Sequence, residues 1–203
     1  FHEESGYRDW IMNRLLRKAD LGICDSSSHT EKVELPEDLR ALFSKGQPIP
    51  DTVTVVSFIH DGEVRQALDF SNESSGTRKL FNIAGDFWLL ASEEVAIFAD
   101  ELSASLHPRL LDNLIRAANE QSEDRRSQLI FSTHDTGLME GLDAEPPALR
   151  RDQVYFTRKN RDGSSELYSL AEFKDDARPV HNIRKRYLSG RYGAMPNLEK
   201  IQL

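Results

Sequence analysis

Three clusters of polar residues sit where apolar runs begin or stop. Asp100 and Glu101 follow the run "VAIFA" at 95–99. Ser132, Thr133, His134 and Asp135 follow "QLIF" at 128–131. Ser74, Ser75, Gly76 and Thr77 precede a stretch with helical apolar spacing. An Asp at the end of a buried strand can hold Mg²⁺, usually through water, because this cation dehydrates reluctantly. A Glu beside it points to the other side of the strand end and can polarise an attacking water. A helix start rich in Ser and Gly exposes backbone N–H groups at the positive end of the helix dipole, which is a ready anion site. Gly76 permits close backbone approach there, and Ser74, Ser75 and Thr77 can donate hydroxyl hydrogen bonds.

Each cluster has a plainer reading. Asp100 and Glu101 can simply begin a loop and cap the next helix. A serine alone satisfies a helix N-cap. A histidine after a strand, such as His134, is more often structural than catalytic, and His107 and His181 stand at no convincing ligand spacing from it. A Ser132, His134, Asp135 triad lacks a nucleophile elbow. A metal phosphohydrolase centred on His134-Asp135 needs further His and Asp ligands on helices.

The elements that must position these residues follow from periodicity. Residues 5–19 read as an amphipathic helix, with Trp10, Ile11, Leu15 and Leu16 on one side. Residues 25–50 read mostly as a linker or surface excursion, with a short helix at 36–44 that starts at Pro36. Residues 52–59 read as a β-branched strand, with "VRQALDF" returning as its partner. A helix is expected over about 76–91. The run 95–101 is expected as a strand buried on both faces. A helix led by Pro108 carries the stripe Leu110, Leu111, Leu114, Ile115 and Ala118, and 127–135 is a further strand. That alternation of helix and strand predicts an α/β fold with parallel strands and right-handed crossovers. After it come two strands around Asp162-Gly163 and a short basic helix. Three segments result: an N-terminal helix and linker at 1–50, a central lobe at 51–148, and a hairpin and tail at 149–203.

The chain has 203 residues, of which 38% are apolar and 30% charged, enough for a sizeable core in one globular domain. No run of 18 apolar residues exists, so no membrane partner is expected. One cysteine, Cys24, excludes an internal disulfide and suits a reducing, cytoplasmic compartment. The net charge of −8 argues against the bulk surface as a nucleic-acid platform. A basic cluster of Arg178, Arg184, Lys185, Arg186 and Arg191 leaves local contact with nucleic acid or a partner open, against a default of solvated charges.

Taken together, "ESSGT", the helix after it, "VAIFADE", "LSASLHP" and "IFSTHD", in this order, resemble the C-terminal lobe of an ABC-type ATPase. The likeness is to the SMC/RecF/OLD-like branch, in particular the bacterial abortive-infection ATPases. It runs from about Phe70 to His134 and extends weakly through "ELYSLAEFK" and "YLSGRYGAMPN". The resemblance implies a partial P-loop NTPase lobe that takes ATP and Mg²⁺. By it, Ser74, Ser75, Gly76 and Thr77 form the signature motif and Asp100 is the Walker B carboxylate. Glu101 is the base, Ser103 to His107 (with Ser103 and Ser105) form the D-loop, and His134 is the switch histidine. It also implies a homodimer or higher oligomer through the ATPase head, and an effector partner such as a nuclease or toxin in anti-phage defence. A non-hydrolysing, nucleotide-gated scaffold for such an effector is the alternative. No G-x-x-x-x-G-K-[ST] motif occurs. The expectation is therefore that a Walker A lobe precedes this part, that the chain is the C-terminal portion of a longer ATPase, and that it is inactive alone.

Overall fold

The computed structural model describes residues 5–32, 52–120, 126–141, 145–173 and 182–196. The helix expected at 36–44, His181 and Arg178 lie outside them. The chain forms two compact units, Phe1–Ser92 and Glu93–Leu203.

In the first unit, helix α1 (Ser5–Trp10) continues through a wide π turn, Ile11–Leu15, and a 3-10 turn, Leu16–Lys18. The Leu16 N–H donates to the Ile11 carbonyl five residues back, and both side chains are fully buried. Strand β1 (Ile23–Lys32) then pairs antiparallel with β2 (Thr52–His60), from Ile23 opposite His60 to Lys32 opposite Thr52. This corrects the reading of 25–32 as linker. "DSSSHTEK" has no apolar alternation, but β1 is an edge strand exposed over most of its second half, so polar side chains cost little there. Its pairing comes from the backbone ladder with the β-branched β2. Arg8 ties α1 to it, donating from Nη2 to Asp25 Oδ1 at 2.9 Å and to the Ser26 carbonyl at 2.7 Å. Strand β3 (Gln66–Asp69) pairs antiparallel on the other edge of β2.

Helix α2 (Ser75–Ser92) buries Leu80, Ile83, Ala84, Phe87 and Leu90, the spacing that the sequence predicts for one apolar face. Phe58 of β2 meets Phe70 and Phe81 edge-on, at centroid distances of 6.4 and 5.2 Å. Trp88 takes Tyr7 and Trp10 edge-on from α1. Gly85 lets Tyr7 come close: a Cβ there would stand 3.1 Å from the Tyr7 hydroxyl. Burial, with Asp86 nearby, raises the pKa of that hydroxyl.

In the second unit, β4 (Ala96–Ala99) and β5 (Gln128–Phe131) pair in parallel, Ala96 opposite Gln128 and Ala99 opposite Phe131. Helix α3 (Pro108–Asn119) lies between them in sequence and buries Leu111, Leu114 and Ile115. Asp112 is buried on the same helix and is held by Arg116 Nε at 2.7 Å. The strand at 95–101 is expected to be buried on both faces, and it is not: Phe98 is 75% exposed, and Ile130, its partner across the pair on β5, is 41% exposed. Among the described residues this sheet has two strands, and Ala96, Phe98, Gln128 and Ile130 share its exposed face.

Strands β6 (Tyr155–Lys159) and β7 (Ser165–Ser169) form an antiparallel hairpin, with Gly163 at φ +88° in its turn. Phe156, Leu170, Ile183 and Tyr192 are the buried centre of this end. The Phe156 ring stacks on both Tyr187 and Tyr192, each at 14° between planes. Helix α4 (Ile183–Leu188) is capped by Asn182, whose side chain accepts from Lys185 N at 2.7 Å. No helix among the described residues is long and apolar enough to cross a membrane.

Candidate functional site

Ser132, just past β5, joins the two parallel strand ends. Its N–H donates to the Ala99 carbonyl at 3.0 Å, and its own carbonyl accepts from Leu102 N at 3.1 Å. Its hydroxyl accepts from Glu101 N at 2.9 Å and donates to Asp100 Oδ1. One oxygen of the exposed Asp100 carboxylate is thereby fixed toward β5. A single exposed carboxylate suits Mg²⁺, which keeps several waters and takes one or two carboxylates with substrate phosphates.

Glu101 takes the left-handed conformation, φ +50°, which is costly for a residue with a Cβ. The turn brings Glu101 Oε1 to 3.1 Å from His134 Nε2, with side chains 50% and 91% exposed. Two tight turns follow, Ala104 N to Glu101 O at 3.0 Å and Leu106 N to Ser103 O at 3.1 Å, anchored by the buried Leu102. Ser103 is half-buried within them. Ser105 is exposed and also left-handed, at φ +64°. Among the described residues only Asp20, Glu101 and Ser105 are non-glycines with positive φ, so two of the three fall in this loop. Held strain of this kind concentrates at functional sites. His107 closes the loop as the cap of α3, its Nδ1 accepting from Arg109 N at 3.3 Å.

Asp135 has a different task from its neighbour His134. Its Oδ1 accepts from Gly137 N at 2.7 Å and caps the 3-10 turn Thr136–Met139, while Thr133 Oγ1 accepts from Asp135 N at 2.9 Å. The described residues contain no group of three His, Cys, Asp or Glu able to hold a metal ion.

In the first unit, Ser74 caps α2. Its Oγ accepts from Thr77 N at 3.1 Å and shares a 2.9 Å hydrogen bond with Thr77 Oγ1. Thr77 is buried, Ser75 is exposed and Gly76 is half-exposed. The N–H groups of Ser75 and Gly76 precede the first intrahelical bond, so the helix start keeps donors for an anion. Directly ahead, Glu73 is buried with its Oε1 2.7 Å from His60 Nε2.

The structure thus gathers Asp100, Glu101, Ser103, Ser105 and His134 on the loops of the second unit, and Ser74 to Thr77 at one helix start in the first. Three residues are not announced by the sequence: Ser132, and the pair His60 and Glu73. Ser132 stands in a quoted motif, yet nothing in its spacing announces that it bridges Asp100 and Glu101. The His60–Glu73 pair joins a strand end to a helix start 13 positions on, and no periodic pattern signals that.

A family model described as "AAA domain, putative AbiEii toxin, Type IV TA system" matches residues 13–140. That span includes every residue of the clusters above. A solved chain described by the words "Structural biochemistry of ATP-driven dimerization and DNA stimulated activation of SMC ATPases" is 14% identical, with a TM-score of 0.43 over 84% of each chain. No curated protein matches the chain. The family match covers well over half of the sequence, and the chain belongs to this family of ATPase-type AAA domains.

Proposed function

We propose that this chain supplies the hydrolytic half of an ATP site, with the base on the β4–α3 loop and the γ-phosphate contact on the β5 loop. The observation that carries the reading is Glu101 at 3.1 Å from His134, in a left-handed turn held by Ser132 beside Asp100. A carboxylate in that place can orient water for in-line attack. Asp100 would hold Mg²⁺ through water, and the bound ion supplies offset for phosphate charge. His134 would hydrogen-bond the γ-phosphate, and Ser103 and Ser105 would face the nucleotide. The start of α2, Ser74 to Thr77, would present its donors to ATP held by a second copy, so that two subunits close head to tail around nucleotide. We infer that the Walker A element is contributed from outside these 203 residues. The uncovered Phe98 face of β4 is consistent with a sheet that another element completes. The setting proposed is a bacterial anti-phage complex with a nuclease or toxin effector.

The test is Glu101→Gln in the natural protein that carries this chain. ATP binding should persist, turnover should fall by about 100-fold or more, and a closed dimer should accumulate in size-exclusion chromatography with ATP. Native turnover would remove Glu101 from the role of base. A native protein with no ATP turnover at all would favour the non-hydrolysing scaffold.

A further inference from the structure

We propose that His60 and Glu73 are a positioning pair that sets the start of α2 for nucleotide contact; this rests on the reading of Ser74 to Thr77 given above. The anomaly is the place of Glu73. Ser74 is the N-cap, so Glu73 stands one residue before it, where an apolar side chain commonly staples the helix start. Here that position holds a carboxylate whose side chain is 4% exposed. Capping does not need it, since Ser74 Oγ already accepts from Thr77 N. A buried carboxylate persists only where a partner compensates its lost hydration. His60 is that partner, at 2.7 Å.

The partner is itself well anchored. His60 ends β2 and lies opposite Ile23 of β1 and Gln66 of β3, so both neighbouring strands fix it. Its ring packs close to Gly22, where a Cβ would stand 3.7 Å from Nδ1. The segment before α2 is thus pinned to β2 at two points. The Phe70 ring packs against Phe58, and the Glu73 carboxylate reaches His60. Between them Glu73 N donates to the Phe70 carbonyl at 3.2 Å. Ser74 and Ser75 emerge exposed right after the second pin. Untethered, a carboxylate at this place would compete with a phosphate for the first-turn N–H groups. Tied to His60 in the interior, it leaves them to the ligand.

The experiment measures ATP turnover and KM of the natural protein, per folded molecule, with thermal unfolding run beside it. His60→Ala should lower kcat by about tenfold or more while KM stays within about threefold, as loss of a supporting hydrogen bond does. His60→Gln, which keeps a donor, should recover at least half of the loss. The double variant His60→Ala with Glu73→Ala should be no worse than the worse single one, because both remove the same bond. Native kcat in folded His60→Ala, or losses that multiply in the double variant, would overturn the pairing. If His60→Ala does not fold, His60→Gln and Glu73→Gln carry the comparison: both retain a hydrogen bond and should turn over near the native rate, and a tenfold loss in both overturns the proposal. Gly76→Asp tests the underlying reading separately. It places an acid at the exposed first turn and should abolish turnover. Native turnover there sinks the nucleotide role of Ser74 to Thr77, and this proposal with it. Abolished turnover beside a native His60→Ala sinks the pairing alone.

Discussion

Ser132 makes four hydrogen bonds at the tip of the parallel pair, two through its backbone and two through its hydroxyl, and the hydroxyl alone joins both acids. Ser132→Ala would leave the Glu101 N–H without its acceptor and let the strained turn relax. ATP turnover of the natural protein should then fall about 10-fold to 100-fold, the usual cost of removing a supporting hydrogen bond behind a reacting group. Steady-state kinetics decide the matter, and an undiminished kcat would count against the hydroxyl. Ser105 offers the opposite experiment. At φ +64° a glycine relieves roughly 1 kcal/mol of backbone strain. Ser105→Gly should therefore be unfolded at slightly higher denaturant, and if the side chain faces nucleotide, turnover should drop even as stability rises.

At the scale of elements, the chain ends are legible to different degrees. Helices α2 and α3 follow from one clean apolar stripe each, and the parallel pair from two apolar runs bracketing a helix. The strand β1 was hidden, because "SSSHTEK" forms a ladder through backbone groups that carry no sequence signal. Helix α4 shows how side chains lock an element. Arg184 donates to Glu140 Oε2 at 3.0 Å and Asn182 to Glu140 Oε1 at 2.7 Å. These hydrogen bonds, Arg184 first, lower the Glu140 pKa below its ordinary 4.5. A depressed carboxylate contributes stability above its unfolded pKa, and the contribution is lost as pH falls through the folded value. Glu140→Gln should thus flatten the acid limb of a stability-against-pH curve below about pH 4.5 while changing little at pH 7, given the solvent exposure of the pair. An acid limb identical to the native one would show that the carboxylate is not held in solution. The same pairing engages Arg184, so the basic cluster read from the sequence is not a uniform free patch.

Over the whole molecule, the order of motifs carried most of what the sequence could tell. His134 stands 34 positions after Asp100 and 33 after Glu101, yet parallel pairing of β4 with β5 brings their loops together. Burial was less legible. A run such as "VAIFA" reads as interior whatever covers it, and cover depends on elements that a local pattern does not encode. Phe98 is accordingly the residue through which the isolated chain should self-associate. Phe98→Thr should lower concentration-dependent light scattering of the 203-residue chain without shifting its circular dichroism; equal scattering would place the sticky surface elsewhere.

The parallel pair is also buttoned at its opposite end. Ser127 Oγ donates to the Glu93 carbonyl at 2.5 Å and accepts from Val95 N at 3.5 Å. Two serines therefore flank β5, one fastening the start of β4 and one its end. Together they act as a ruler. An inserted or deleted residue anywhere in "QLIF" must unfasten one serine or the other, so this strand should tolerate changes of side chain far better than changes of length.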